Sequence, residues 1–209
     1  TISAGTDSAS KLSSVLADGS ITSVDASVVT TMTGTATEVL AVLAEANITD
    51  PTSSTVTISA GTDSASKLSS VLADGGITSV DASAVTTMTG TATEVLAVLT
   101  EANITDPTSA TVTISAGTSD AGDLSSVLAD GSITSVDASA ATTLEGSVTE
   151  INTVLTEVNI TNPTTMTATI DAGSESSSSL TTLLAEGNVT AVDASAVTTM
   201  TGTATEVLA

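Results

Sequence analysis

Seven carboxylates recur at one phase of this chain: Asp18, Glu45, Asp74, Glu101, Asp130, Glu157 and Glu186. A row of oxygen ligands suits a hard cation, and calcium is the ion such a row would take. The same acids serve equally as a solvated face that keeps like chains apart. A second set, Asp25, Asp81, Asp137 and Asp193, stands in four copies of VDAS, the composition of a turn. Asn47, Asn103, Asn159 and Asn188 each open an Asn-x-Thr acceptor pattern for glycosylation. The only cations are Lys11 and Lys67. Repeat alignment puts Lys67 between Glu38 and Glu94, the setting of a surface ion pair rather than of a catalytic amine.

Little else in the composition can do chemistry. The 209 residues contain no Cys, His, Trp, Tyr or Phe, and 24 acids against two lysines give a net charge of -22. Thiolate chemistry and His-based metal sites have no residues to build on, and a Ser or Thr nucleophile has no histidine base. We therefore expect no enzyme and no cofactor beyond calcium. The negative charge, without a basic stripe or an aromatic platform, argues against nucleic acid as a partner. No apolar run approaches the roughly 20 residues of a membrane span, so no insertion is expected within this stretch.

The elements that must position these groups come from a repeat. TISAGT begins at Thr1, Thr57 and Thr113 and a diverged TIDAGS at Thr169, a period of 56 residues. Within it, VLADGSIT (15–22) aligns with VLAEANIT (42–49), so coils of about 28 residues alternate between 27 and 29. Superrepeats occupy 1–56, 57–112, 113–168 and, in part, 169–209, with the chain entering and leaving inside a repeat, as in a window of a longer array. Apolar columns follow: Leu12, Val39, Leu68, Val95, Leu124, Ile151, Leu180; Val15, Val42, Val71, Val98, Val127, Val154, Leu183; and Leu16, Leu43, Leu72, Leu99, Leu128, Leu155, Leu184. A small-residue column, Ala9, Ala36, Ala65, Ala92, Ala121, Val148 and Ser177, runs ahead of them. Their spacing predicts one helix per coil. Capping boxes at Thr35–Glu38, Thr91–Glu94, Ser147–Glu150 and Thr203–Glu206 predict where alternate helices begin. TVTISAG (55–61) predicts a half-buried strand with Val56, Ile58 and Ala60 inward.

The fold expected is α/β, a repetitive parallel β/α solenoid continuous over 1–209, because such a coil buries its apolar face only against like coils. In-register stacking would make Thr22, Thr49, Thr78, Thr105, Thr134, Thr161 and Thr190 a β-branched ladder. The column Ser20, Asn47, Gly76, Asn103, Ser132, Asn159, Asn188 follows each helix, where a left-handed cap favours Asn and Gly; the glycosylation pattern then arises where such a cap meets the Thr column. Leu40, Leu96 and Leu208 share a column otherwise filled by Ser, Asn and Thr, which reads either as partial burial at the edge of the core or as a lateral contact with another rod.

VTISAG, SVDASAVTTMTGTATEVLAVL and NIT together resemble tandem segments of very large Thr/Ala/Val/Asp-rich bacterial surface and extracellular filament proteins of the cyanobacterial type. The resemblance spans the whole chain in repeat grammar and carries over no catalytic residue. It implies a structural protein at the cell surface or outside the cell, forming a filament, sheath or surface layer by self-association. The alternative is an adhesin or phage-type fibre stalk that presents a binding domain lying outside this stretch.

Overall fold

In the computed structural model, which describes residues 1–207, strands and helices alternate throughout. The order is β1 (Gly5–Ser8), α1 (Ala9–Ala17), β2 (Val24–Asp25), β3 (Val29–Gly34), α2 (Ala36–Leu43), β4 (Ile48–Thr49), β5 (Ser54–Ile58), β6 (Gly61–Ser64), α3 (Ala65–Leu72), β7 (Ile77–Asp81), β8 (Val85–Gly90), α4 (Ala92–Leu99), β9 (Ile104–Thr105) and β10 (Ala110–Ile114). It continues β11 (Gly117–Asp120), α5 (Ala121–Ala129), β12 (Ile133–Asp137), β13 (Ala141–Gly146), α6 (Val148–Thr156), β14 (Ile160–Thr161), β15 (Met166–Ile170), β16 (Gly173–Ser176), α7 (Ser177–Ala185), β17 (Val189–Asp193), β18 (Val197–Thr201) and α8 (Ala204–Val207). One compact unit holds residues 1–89 and 97–110, a second 90–96 and 111–209. Each is built of parallel β/α coils, the repetitive solenoid class.

Sequence explains each helix. Ala36, Val39 and Val42 of α2 are fully buried along one face. The helix is started by a capping box: Thr35 Oγ1 accepts from the Glu38 N–H at 3.2 Å while Glu38 Oε2 accepts from the Thr35 N–H at 2.8 Å. The same exchange begins α4 at Thr91/Glu94, α6 at Ser147/Glu150 and α8 at Thr203/Glu206.

The sheet register departs from in-register stacking. In the first unit Asp25 pairs with Thr49, Thr31 with Thr55, Val56 with Val80 and Val80 with Ile104, each 24 residues on. Equivalent residues of successive coils lie 27 or 29 apart, so every strand slips several residues along its neighbour. The cause is a mismatch of widths. Strands sit ~4.8 Å apart, whereas packed helices need ~8–10 Å. A slip of about 4 residues at ~3.3 Å each, combined with that lateral step, separates equivalent points by ~14 Å, enough to seat one helix beside the next. The expected Thr ladder is therefore not formed: Thr49 lies opposite Asp25, Thr105 opposite Asp81 and Thr161 opposite Asp137.

Because strands slip, each sheet is a diagonal ribbon. In the first unit β1, β3, β5, β7 and β9 make one ribbon, which enters just before α1 and leaves just after α4. A new ribbon starts at β6, and in the second unit at β11 and β16. Four of the five ribbons start at a glycine with positive φ, Gly5 (144°), Gly61 (140°), Gly117 (119°) and Gly173 (156°), with a register shift immediately after it; the two-stranded ribbon of β2 and β4 starts at Val24. Glycine is the residue that enters a bulge in this conformation without a Cβ penalty. Such starts recur every second coil, which makes 56 rather than 28 the structural repeat.

The core lies between ribbons and helices. Val56 and Ile58 are buried as expected, and so is Ser54, whose hydroxyl donates to the Val29 carbonyl. Ala60 is exposed instead of inward, because β5 ends at Ile58 and the chain turns toward the bulge at Gly61. The small-residue column faces the next coil's glycine: a Cβ on Gly34 would come 3.3 Å from Ala9 Cβ, and one on Gly146 3.3 Å from Ala121 Cβ. Leu16, Leu43, Leu72, Leu128 and Leu155 are half-buried, Leu99 is buried and Leu184 exposed, so this column flanks the fully covered stripe of Ala65, Leu68 and Val71 and its counterparts.

Candidate functional site

Six of the seven acids of the first column start a turn. The Ile21 N–H donates to the Asp18 carbonyl at 2.9 Å, and Asp18 Oδ1 accepts from the Ser20 N–H at 3.0 Å and hydroxyl at 2.6 Å. Asp74, Glu101 and Asp130 do the same for the N–H groups of Gly76 (3.0 Å), Asn103 (3.2 Å) and Ser132 (2.9 Å). Carbonyls of Glu45 and Glu186 accept from Ile48 and Val189, and Glu157, like the other six, donates its N–H back into the helix end, to the Val154 carbonyl. The carboxylates of Asp18, Asp74, Glu101 and Asp130 thus bend back onto their own loops. Among the described residues no three acidic side chains gather as a group that could hold a metal ion.

The same turns correct the left-handed cap expected of the Asn column. Among the described residues no non-glycine has positive φ, and Gly76 is not among the glycines that do. Helices end instead in right-handed or extended residues, such as Ala73 (φ -70°, ψ -12°) or Asp18 (φ -67°, ψ 114°), and the column supplies the third residue of the turn. What it contributes is backbone: carbonyls of Asn47, Asn103, Asn159 and Asn188 accept from Val24, Val80, Val136 and Met166 in the preceding coil. Side chains of Asn47, Asn103 and Asn159 are exposed, while Asn188 is half-buried and donates Nδ2 to the Pro163 carbonyl at 3.2 Å. At Gly76 a Cβ would lie 2.0 Å from the Pro51 carbonyl oxygen, so the loop is drawn closer there than at Asn188, which places a side chain over Pro163.

The VDAS aspartates organise turns as expected. Asp25, Asp81, Asp137 and Asp193 accept from the N–H two residues on at 3.1, 3.0, 3.0 and 3.0 Å. Hydroxyl and N–H of Ser27 hold the Asp25 carboxyl below its ordinary range; Ser20, Ser139 and Ser195 do so for Asp18, Asp137 and Asp193, and Ser147 for Glu150.

Asp63 is the opposite case. It is 5% exposed, accepts at Oδ1 from the Ala36 N–H at 3.2 Å at the start of the preceding helix, and leaves Oδ2 without a partner. Burial pushes its carboxyl up, against the pull of that N–H and of Lys67. A raised folded value means charged Asp63 weakens the fold at neutral pH and ceases to as pH falls through that value. The depressed turn and cap acids contribute above the unfolded values, 3.8 for Asp and 4.5 for Glu, and lose that contribution as pH falls through their folded values. Asp63→Asn should therefore raise the melting temperature at about pH 7 and give no gain near about pH 3, where the whole protein loses stability. Thermal melts across that range measure both signs.

The third repeat exchanges this pair of residues. Where copy two has Asp63-Ser64, copy three has Ser119-Asp120, and Asp120 now caps α5 by accepting from the Asp123 N–H at 2.8 Å. Ser64 makes no such bond to α3. Ser64→Asp should supply it and stabilise the fold by about 1 kcal/mol in urea unfolding.

On the neighbouring helices the Glu38 and Glu94 carboxylates are engaged in their capping boxes, and Lys67 contacts a hydroxyl. Its Nζ donates to Thr37 Oγ1 across the coil junction at 2.8 Å. One repeat on, Asp123 replaces the lysine and Thr93 Oγ1 donates to its carboxylate at 2.5 Å, so the hydroxyl reverses its role.

Two clefts recur at the repeat interval in the first unit. One of about 310 Å³ is lined by Ser13, Leu16, Ala17, Ala41 and Glu45, and another of about 250 Å³ by Ser69, Leu72, Ala73, Ala97 and Glu101. Leu16 and Leu72, taken from the sequence as core, form their apolar walls. Leu40 and Leu96 are half-buried on their helices, and Leu208 lies outside the described residues. No described helix is long and apolar enough to cross a membrane. The chain matches no protein-family model, no curated protein and no solved structure.

Proposed function

We propose that the chain is a structural repeat protein that builds an extracellular or cell-surface filament, sheath or layer by stacking and by end-to-end or lateral association. The observation that carries this reading is the recurrence of inter-coil contacts at the repeat interval. Ala9 faces Gly34 as Ala121 faces Gly146, and Lys67 meets Thr37 as Asp123 meets Thr93. Such a chain invests its conserved geometry in joining like to like. Its acids are used in turns and caps, in keeping with a chain that carries no catalytic centre, and a net charge of -22 keeps it from nucleic acid. Half-buried Leu40 and Leu96 offer the lateral contact.

Electron microscopy of native material tests the reading. Fibres or lattices are the expected result; isolated particles that never associate would overturn it. The fibre-stalk alternative predicts instead a distinct, non-repetitive domain at one tip of each rod.

A further inference from the structure

The two clefts of the first unit share one chemistry. In the cleft of about 250 Å³, Ser69 and Leu72 come from α3 and Ala73 from its end, while Ala97 of α4 and Glu101 just beyond it form the other side. Complete coils precede and follow it along the chain, so it belongs to the repeat itself. The cleft of about 310 Å³ between α1 and α2 has the same residue types 56 positions earlier, down to Leu16 and Glu45. Alanines on both helices leave the space, leucine walls it, and a single carboxylate completes the lining.

The third repeat supplies a contrast. Thr153 stands where the first two repeats have Ala41 and Ala97. Ser125 is half-buried there with its hydroxyl covered, whereas its counterparts Ser13 and Ser69 are exposed.

An apolar wall with one carboxylate suits an aliphatic stem that ends in a cation. A lysine side chain has this form, because its stem lies along apolar surface while the ammonium stays at the polar edge. Arginine fits less well: Glu101 Oε1 already accepts from the Asn103 N–H at 3.2 Å, and a guanidinium fork wants both carboxylate oxygens. The lysine must come from outside the chain. Two lysines stand here against 24 acids, and Lys67 already donates to Thr37 at 2.8 Å. A second copy would bring another net charge of -22 to the contact.

We propose that the α1/α2 and α3/α4 clefts bind lysine side chains of a basic partner polypeptide, the stem lying on Leu16 or Leu72 and the ammonium at Glu45 or Glu101. Two clefts on one chain let two lysines of the same partner engage together, so that weak single contacts combine into a firmer one. This binding goes beyond the structural role proposed above and does not depend on it.

The test titrates a labelled peptide of about ten lysines with the 209-residue chain at about 0.15 M salt, read by fluorescence anisotropy, with far-UV circular dichroism to verify folding. Saturable binding is expected. Ala41→Thr combined with Ala97→Thr, which copies the third repeat and changes no charge, should weaken it about tenfold. Glu45→Gln combined with Glu101→Gln should do the same, while Glu157→Gln, which removes a charge beside Thr153, should weaken it by no more than about twofold. Absence of saturable binding overturns the proposal. So does binding that ignores the threonine pair and falls equally with any glutamate removed, the pattern of charge alone. Sedimentation velocity of the chain by itself examines a second copy as the occupant: oligomers dispersed by Ala41→Thr with Ala97→Thr would assign the clefts to self-association and overturn the proposal as well.

Discussion

Replacing Gly146 with valine will cost about 2 to 5 kcal/mol of stability, combining a strained backbone with an overpacked contact. Gly146 sits at φ +150°, and a Cβ there would come 3.3 Å from both Ala121 Cβ and Glu150 Oε2. The first neighbour belongs to the helix of the preceding coil, the second to the capping box that starts α6. One branched side chain therefore pushes on a coil junction and on a helix start together. Since repeat arrays gain stability from neighbouring pairs, the loss should appear locally. Hydrogen exchange ought to speed up in α5, β13 and α6 before it does near the first coil. A variant that keeps its wild-type urea midpoint and protection pattern would show that the small-residue column does not set coil spacing.

Leu124→Ala is the second large effect, about 2 to 5 kcal/mol, because the side chain is fully buried between ribbon and helix and no aromatic neighbour exists to collapse into the gap. Leu184→Ala deletes the same atoms from a leucine that is 61% exposed and should change stability by no more than about 0.5 kcal/mol. Urea unfolding of the pair gives the comparison. Near-equal losses would mean that the apolar stripe through Leu124 is not the principal source of cohesion.

Helices were legible in the sequence because their determinants are local. Thr35 and Glu38 meet within one turn, and Ala36, Val39 and Val42 share a face whatever lies beside them. Strand register was not legible, and period-2 alternation explains why. TVTI presents Val56 and Ile58 inward against a partner displaced by any even number of residues, so the pattern accepts several registers. The choice among them is made by helix width, a property of the opposite layer. Aligning Thr22 with Thr49 supposes that coils rise by one strand spacing, which leaves no room for α1 beside α2. The turn role of the first acidic column was not legible for a related reason. Spacing along the chain shows that Asp18 and Glu45 recur, but only the loop shows Asp18 folded back onto Ser20. The Asp-x-Ser pattern that identified the VDAS turns was present there too, in Asp18-Gly19-Ser20, and is the signal that would have found it.

The staggered ribbons impose a parity on how such a gene can change length. Bulged glycines that start a ribbon recur in every second coil, Gly5, Gly61, Gly117 and Gly173. Gain or loss of a single coil would set two ribbon starts in adjacent coils, or leave two adjacent coils with none, and at that point edge hydrogen bonds would lack partners. Recombination that adds or removes whole pairs of coils keeps every strand matched. Copies one and two differ at only four positions, Ser20/Gly76, Val28/Ala84, Ala44/Thr100 and Ser54/Ala110, the near-identity left by duplication of one complete pair. Length variation in these arrays should therefore be counted in even numbers of coils.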